Sequence, residues 1–218
     1  MLESLVAFAG AAILIALVPG PSTVVIMRSS MLSGRRAGLM TVLGNETGVL
    51  VWGLAAALGL SALLSASRLA YDGLRIAGAA VLVYFGVKAL WQARRGAGTV
   101  PVERVAADAP RGDVSGGGAP LWRCFRLGLI TNFANPKAGV FAVSFLPQFV
   151  PEGWSVPAVL AGFSVLWALI DLLWYALVVW TVDAARRVFE RSGVRRRLEQ
   201  VSGVVLVALG VRLAAESR

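Results

Sequence analysis

The sequence predicts an all-α integral membrane protein, six transmembrane helices arranged as two inverted three-helix halves joined by a flexible cytoplasmic linker. Composition, run length and charge placement point the same way. The 218 residues are 57% hydrophobic and 15% charged, whereas soluble domains run nearer 45–50% apolar and about 25% charged. The apolar residues gather into runs long enough to cross the ~30 Å hydrocarbon layer as helices. The basic residues then fall in alternate loops.

The runs lie at roughly 4–27, 37–63, 70–92, 124–150, 155–181 and 199–215, and they leave no room for a soluble domain. The first begins Met-Leu-Glu, with no basic residue ahead of it, and ends in Pro19-Gly20-Pro21 rather than a small-residue cleavage site. It therefore reads as a retained helix and not as a signal peptide. Trp91, Trp122, Trp154 and Trp180 fall near predicted helix ends, where amphipathic rings favour the membrane interface.

A net charge of +9 raises the question of nucleic acid. Arg28, Arg35 and Arg36 lie between the first two runs. Lys88, Arg94, Arg95, Arg104, Arg111, Arg123 and Arg126 lie around the third connection. Arg186, Arg187, Arg191, Arg195, Arg196 and Arg197 lie in the fifth. Sixteen of the 21 basic residues thus share one side, which the positive-inside bias makes cytoplasmic, with both termini outside. No aromatic residues interleave with these arginines as a base-stacking surface requires, so the expected partner is the lipid bilayer and not nucleic acid.

Residues 96–121 are polar, with six glycines and three prolines, and read as a flexible cytoplasmic linker. The chain divides into a first half (1–95), the linker (96–121) and a second half (122–218). Each half carries three helices, an odd number, so the halves have opposite orientation, as in many transporters.

Two helices are interrupted at matching positions. The first carries Pro19-Gly20-Pro21-Ser22, and the fourth carries Asn132-Phe133-Ala134-Asn135-Pro136-Lys137. Proline removes a backbone donor and clashes with the preceding turn. Broken backbone at membrane depth survives only where protein or water satisfies it, and paired breaks point to a transport site. Ionisable residues sharpen this: Glu46, Lys137 and Asp171 all fall inside predicted helices, where a charge costs ~2.5 kcal/mol or more unless it faces protein or a watery cavity. The candidate substrate pathway comprises Pro19, Gly20, Pro21, Ser22, Asn45, Glu46, Asn135, Pro136, Lys137 and Asp171. In this reading Lys137 binds a carboxylate, while Glu46 or Asp171 binds an ammonium or takes up a proton. The plainer alternative is a structural ion pair of Lys137 with Glu46 or Asp171.

Other chemistry finds little support. The chain has no histidine and one cysteine, Cys124, which excludes His-ligated metal, a His general base and an internal disulfide. Ser22 has no evident base, so no enzyme activity and no cofactor are expected. Gly34–Gly38 and Gly44–Gly48 fit the GxxxG spacing, which suits close helix packing within a chain, or secondarily in a homodimer.

These motifs resemble the LysE/RhtB family of bacterial amino-acid exporters, the lysine exporter and homoserine-threonine resistance translocators, over nearly the full length. The resemblance rests on Val18-Pro19-Gly20-Pro21, Gly34-Arg35-Arg36-Ala37-Gly38-Leu39, Gly44, Gly48 and Leu58-Gly59-Leu60. In the second half it rests on Phe125-Arg126-Leu127-Gly128, Asn135-Pro136-Lys137, Phe145-Leu146-Pro147-Gln148-Phe149 and Leu209-Gly210-Val211-Arg212-Leu213. The resemblance implies efflux of amino acids or their derivatives across the bacterial cytoplasmic (inner) membrane, driven by proton exchange. The alternatives are a metal-cation exporter, disfavoured by two carboxylates beside a lysine, and a non-transport membrane protein. One departure stands out: many members have an acidic residue after the glycine matching Gly48, where this chain has Val49, with Glu46 three residues earlier.

Overall fold

The structure, a computed structural model, describes residues 1–17, 20–66, 120–151, 153–182 and 192–215, with isolated helical positions between 73 and 94. Most of the third apolar run and linker residues 96–119 lie outside the described residues. The elements are α1 (Leu2–Leu17), α2 (Pro21–Ala66), α3 (Leu121–Phe133), α4 (Pro136–Val140), a π turn (Phe141–Phe145), a 3₁₀ turn (Leu146–Phe149), α5 (Val156–Trp180) and α6 (Ser192–Ala215). No strand occurs among the described residues. Among the described residues two helices are long and apolar enough to cross a membrane, Pro21–Gly59 and Val156–Trp180, and Leu2–Leu17 is apolar but shorter.

The first apolar run is broken where the prolines predict. α1 stops at Leu17 and α2 starts at Pro21, a position whose missing N–H costs a helix nothing. The run also extends past its predicted end at residue 27. α2 continues to Gly34, where φ 83° and ψ 172° interrupt it, a left-handed backbone natural to glycine. The chain reverses there. Thr41 Oγ1 lies 2.9 Å from Ser29 Oγ, whereas twelve residues of unbroken helix would hold these positions ~18 Å apart. The extension is stable because its hydroxyls are used: Ser30 donates to the Ile26 carbonyl at 2.9 Å, and Ser29 is fully buried.

Glycines set the closest helix approach. A Cβ on Gly44 would lie 1.9 Å from the Phe125 carbonyl oxygen, and one on Gly128 would lie 1.9 Å from that of Thr41. Gly48 faces Asn132 in the same contact. The Gly44–Gly48 spacing therefore seats α2 against α3 within one chain. Gly34–Gly38 does something else, since Gly34 forms the turn while Gly38 packs on Ser30 and Val179.

α5 shows which solvent the fold expects. Val165, Leu169, Leu173 and Leu177, four residues apart, are each 50–72% exposed. The opposite face buries Phe163, Ser164, Trp167, Asp171 and Tyr175. An outward stripe of aliphatic residues with polar groups inside suits lipid, not water. Trp91, Trp122, Trp154 and Trp180, at the predicted interface positions, are all more than half exposed, while Trp167 is buried. The core joins α1, α5 and the irregular turns after α4. Phe8 stacks on Phe163 at 4.6 Å, Phe141 meets Trp167 edge-on at 4.7 Å, and Phe145 meets Phe149 at 4.8 Å. Such pairs each add about 0.5–1.5 kcal/mol beyond area burial.

Candidate substrate cavity

Both breaks open onto one cavity, and each supplies what the other lacks. The last carbonyls of α1 have no intrahelical donor and carry the negative end of its dipole. Lys137, on the first turn of α4, donates its ammonium to one of them, the Ile15 carbonyl, at 2.9 Å. Asn135 caps α4, its Oδ1 accepting from the Lys137 backbone N–H at 3.1 Å, as capping residues do. Its Nδ2 then reaches across to Ser22 Oγ at 3.2 Å. On the other side of the first break the Gly20 N–H donates to Thr23 Oγ1 at 3.3 Å. Gly20 packs beside Lys137: a Cβ there would lie 3.7 Å from Lys137 Nζ.

The cavity is lined by Ser22, Asn45, Asn132, Asn135, Lys137 and Asp171, with Trp167, Tyr175 and small apolar residues completing the wall. Its volume is about 10 Å³, the size that admits a single water. The conformation is therefore closed, and a larger solute enters only as the lining side chains part. Asp171 is 6% exposed, and its Oδ1 has no hydrogen-bond partner among the described residues. Lys137 and Asp171 face the same space and act on each other electrostatically. The cavity thus brings one basic and one acidic side chain together, ringed by amide and hydroxyl groups.

Behind this wall runs a buried polar chain. Asn132 Nδ2 donates to Asn45 Oδ1 at 3.4 Å, and Asn45 Nδ2 donates to Glu46 Oε1 at 3.0 Å. Glu46 is 6% exposed and does not line the cavity.

Five of the ten expected pathway residues, Ser22, Asn45, Asn135, Lys137 and Asp171, meet in the cavity, with Gly20 against Lys137. Pro21 and Pro136 are the first residues of α2 and α4 and serve by starting them; Pro136 is exposed. Pro19 lies outside the described residues. Asn132, Trp167 and Tyr175 were not among the expected residues. Their signal was spacing, since Trp167 and Tyr175 lie four residues either side of Asp171 and Asn132 lies three before Asn135, all one helical turn away.

A helical membrane protein with a charged cavity between two interrupted helices is a membrane transport protein in architecture. Residues 13–217 match the LysE type translocator family, and the chain belongs to that family. It is similar to the uncharacterized membrane protein YrhP of Bacillus subtilis, 26% identical over 211 residues that cover 97% of this chain and 98% of the relative. It is 31% identical to the uncharacterized membrane protein PA4757 of Pseudomonas aeruginosa, covering 93% and 90%. A leucine efflux protein of Salmonella typhimurium is 26% identical over 207 residues, covering 93% of this chain and 91% of the relative. No solved structure matches the chain.

Proposed function

We propose that this protein exports neutral amino acids or their derivatives from the cytoplasm in exchange for protons, through six transmembrane helices in two inverted halves. The observation that carries the reading is the meeting of Lys137 and Asp171 in one cavity between the two breaks. An amino acid carries the two complementary charges: its carboxylate goes to Lys137 and Asn135, its ammonium to Asp171. An amino acid with a neutral side chain brings no net charge to a site that holds one of each sign. Kinship with a leucine efflux protein supports the same class of substrate.

The first step follows from the closed geometry. Lys137 caps the Ile15 carbonyl, so an incoming carboxylate must draw the ammonium away from α1. That motion frees the end of α1 and loosens the first break while the substrate binds. The closed, capped state is then the resting one. In this reading the excess of arginine in alternate loops puts 28–36 and 96–121 in the cytoplasm and both termini outside.

Inverted membrane vesicles with an imposed proton gradient test the proposal. They are expected to accumulate labelled leucine, and K137A vesicles are not. A wild type that accumulates none of the standard amino acids would overturn the reading.

A further inference from the structure

The site has two buried carboxyl groups where binding an amino acid needs one. Among the described residues Asp171 opens onto the cavity with Oδ1 unpartnered, and Glu46 sits outside it, joined to it by Asn45. Glu46 Oε2 also has no hydrogen-bond partner among the described residues. The two carboxyls are near enough to repel one another. The titratable groups facing Glu46 are Asp171 and Tyr175, both on α5, with Lys137 of α4 acting on Asp171. From α3 the chain meets Asn132, which cannot titrate. One ammonium facing two carboxyls is neutral only when one carboxyl holds a proton, and an unbalanced charge at this depth is costly.

We infer that the two carboxyls divide the work: Asp171 holds the ammonium of the substrate, and Glu46 carries the proton exchanged for it. The inference rests on the export reading above. Asp171 lines the space that the substrate fills; Glu46 does not, so a proton there never has to leave to make room. The two are nevertheless linked. The amino acid adds no net charge, but it turns its ammonium towards the two carboxyls and its carboxylate away from them towards Lys137. Its bound dipole therefore favours loss of the Glu46 proton, and a proton on Glu46 in turn weakens its binding. Inside, the amino acid binds and Glu46 gives its proton to the cytoplasm. Outside, Glu46 takes a proton, the amino acid leaves, and the protonated empty carrier returns. One proton enters for each amino acid that leaves. Asn45 is the positioning residue between the sites, because its amide touches Glu46 and Asn132 while its side chain faces the cavity.

Reconstituted protein separates the two roles, with labelled leucine as the probe. E46Q keeps the shape of the side chain and an oxygen to accept from Asn45. It is expected to retain leucine counterflow at equal pH on both sides, to lose accumulation driven by a proton gradient, and to release no protons on adding leucine. E46D, which still titrates, is expected to keep driven accumulation. D171N is expected to lose counterflow, with apparent affinity weakened at least about 30-fold, as for one partner removed from a buried pair. Proton-driven accumulation surviving in E46Q, or loss of its counterflow, overturns the assignment. Undiminished counterflow affinity in D171N overturns it independently, even if E46Q fails to fold. Wild-type protein that moves no standard amino acid in either assay counts against export itself, and this inference falls with it.

Discussion

The two interrupted helices are broken in different ways. The first break is made of backbone: Pro21 starts α2, Gly20 lies beside Lys137, and the carbonyls at the end of α1 are left to be satisfied from elsewhere. The second break is made of side chains. Asn135 caps its own helix and bonds Ser22, and Lys137 supplies the charge that closes α1. One break offers partial charges and space, the other offers full charge and donors. A pair of unlike breaks can hold a molecule with unlike ends, which two proline kinks alone would not do.

Four substitutions test this contrast, from the largest expected effect to the smallest. Lys137→Ala removes both the cap on α1 and the carboxylate partner, so export in vesicles is expected to fall at least about 100-fold, as when one member of a buried charge pair is deleted. Equal export by K137A and wild type would mean that the second break contributes no charge to the path. Gly128→Ala leaves the cavity residues untouched but drives a Cβ into the Thr41 backbone. It is expected to lower stability by about 1–3 kcal/mol, read as a drop in melting temperature of the purified protein. Asn135→Ala removes the α4 cap and the link to Ser22, costing about 1 kcal/mol in stability; a weaker apparent affinity for leucine should accompany it. Gly20→Ala places its Cβ at ordinary contact distance from Lys137, so transport is expected to stay within about twofold of wild type. A large loss in G20A would show that the first break needs backbone freedom and not merely room.

Much of this site was legible in the sequence, because the features that build it are rare in membrane helices. Prolines 21 and 136 mark helix starts by their chemistry alone, and Lys137 and Asp171 are too costly in lipid to lie anywhere but inside. Trp167 and Tyr175 were marked only by their four-residue spacing from Asp171, since in an apolar run an aromatic facing a cavity otherwise reads like one facing the core. The turn at Gly34 was blurred for a related reason. Ser29, Ser30 and Arg28 look like the start of a loop, and only the reversal that brings Thr41 to Ser29 makes those hydroxyls helical. The Gly44–Gly48 spacing announced a close contact but not its partner, since the opposing Gly128 lies 84 residues from Gly44 along the chain.

The reach of Lys137 has a consequence for how the protein is made. The carbonyl it caps lies 122 residues earlier in the chain, and Ser22 waits 113 residues for Asn135. A nascent chain therefore carries α1 and α2 with an unsatisfied seam until residues 121–137 have been translated. In lipid such a seam cannot persist without water or another partner. The segment ending at Ala66 should be a poor membrane tenant on its own, prone to degradation until α3 and α4 arrive. Lys137, by closing the end of α1, would then mark the moment at which assembly is complete.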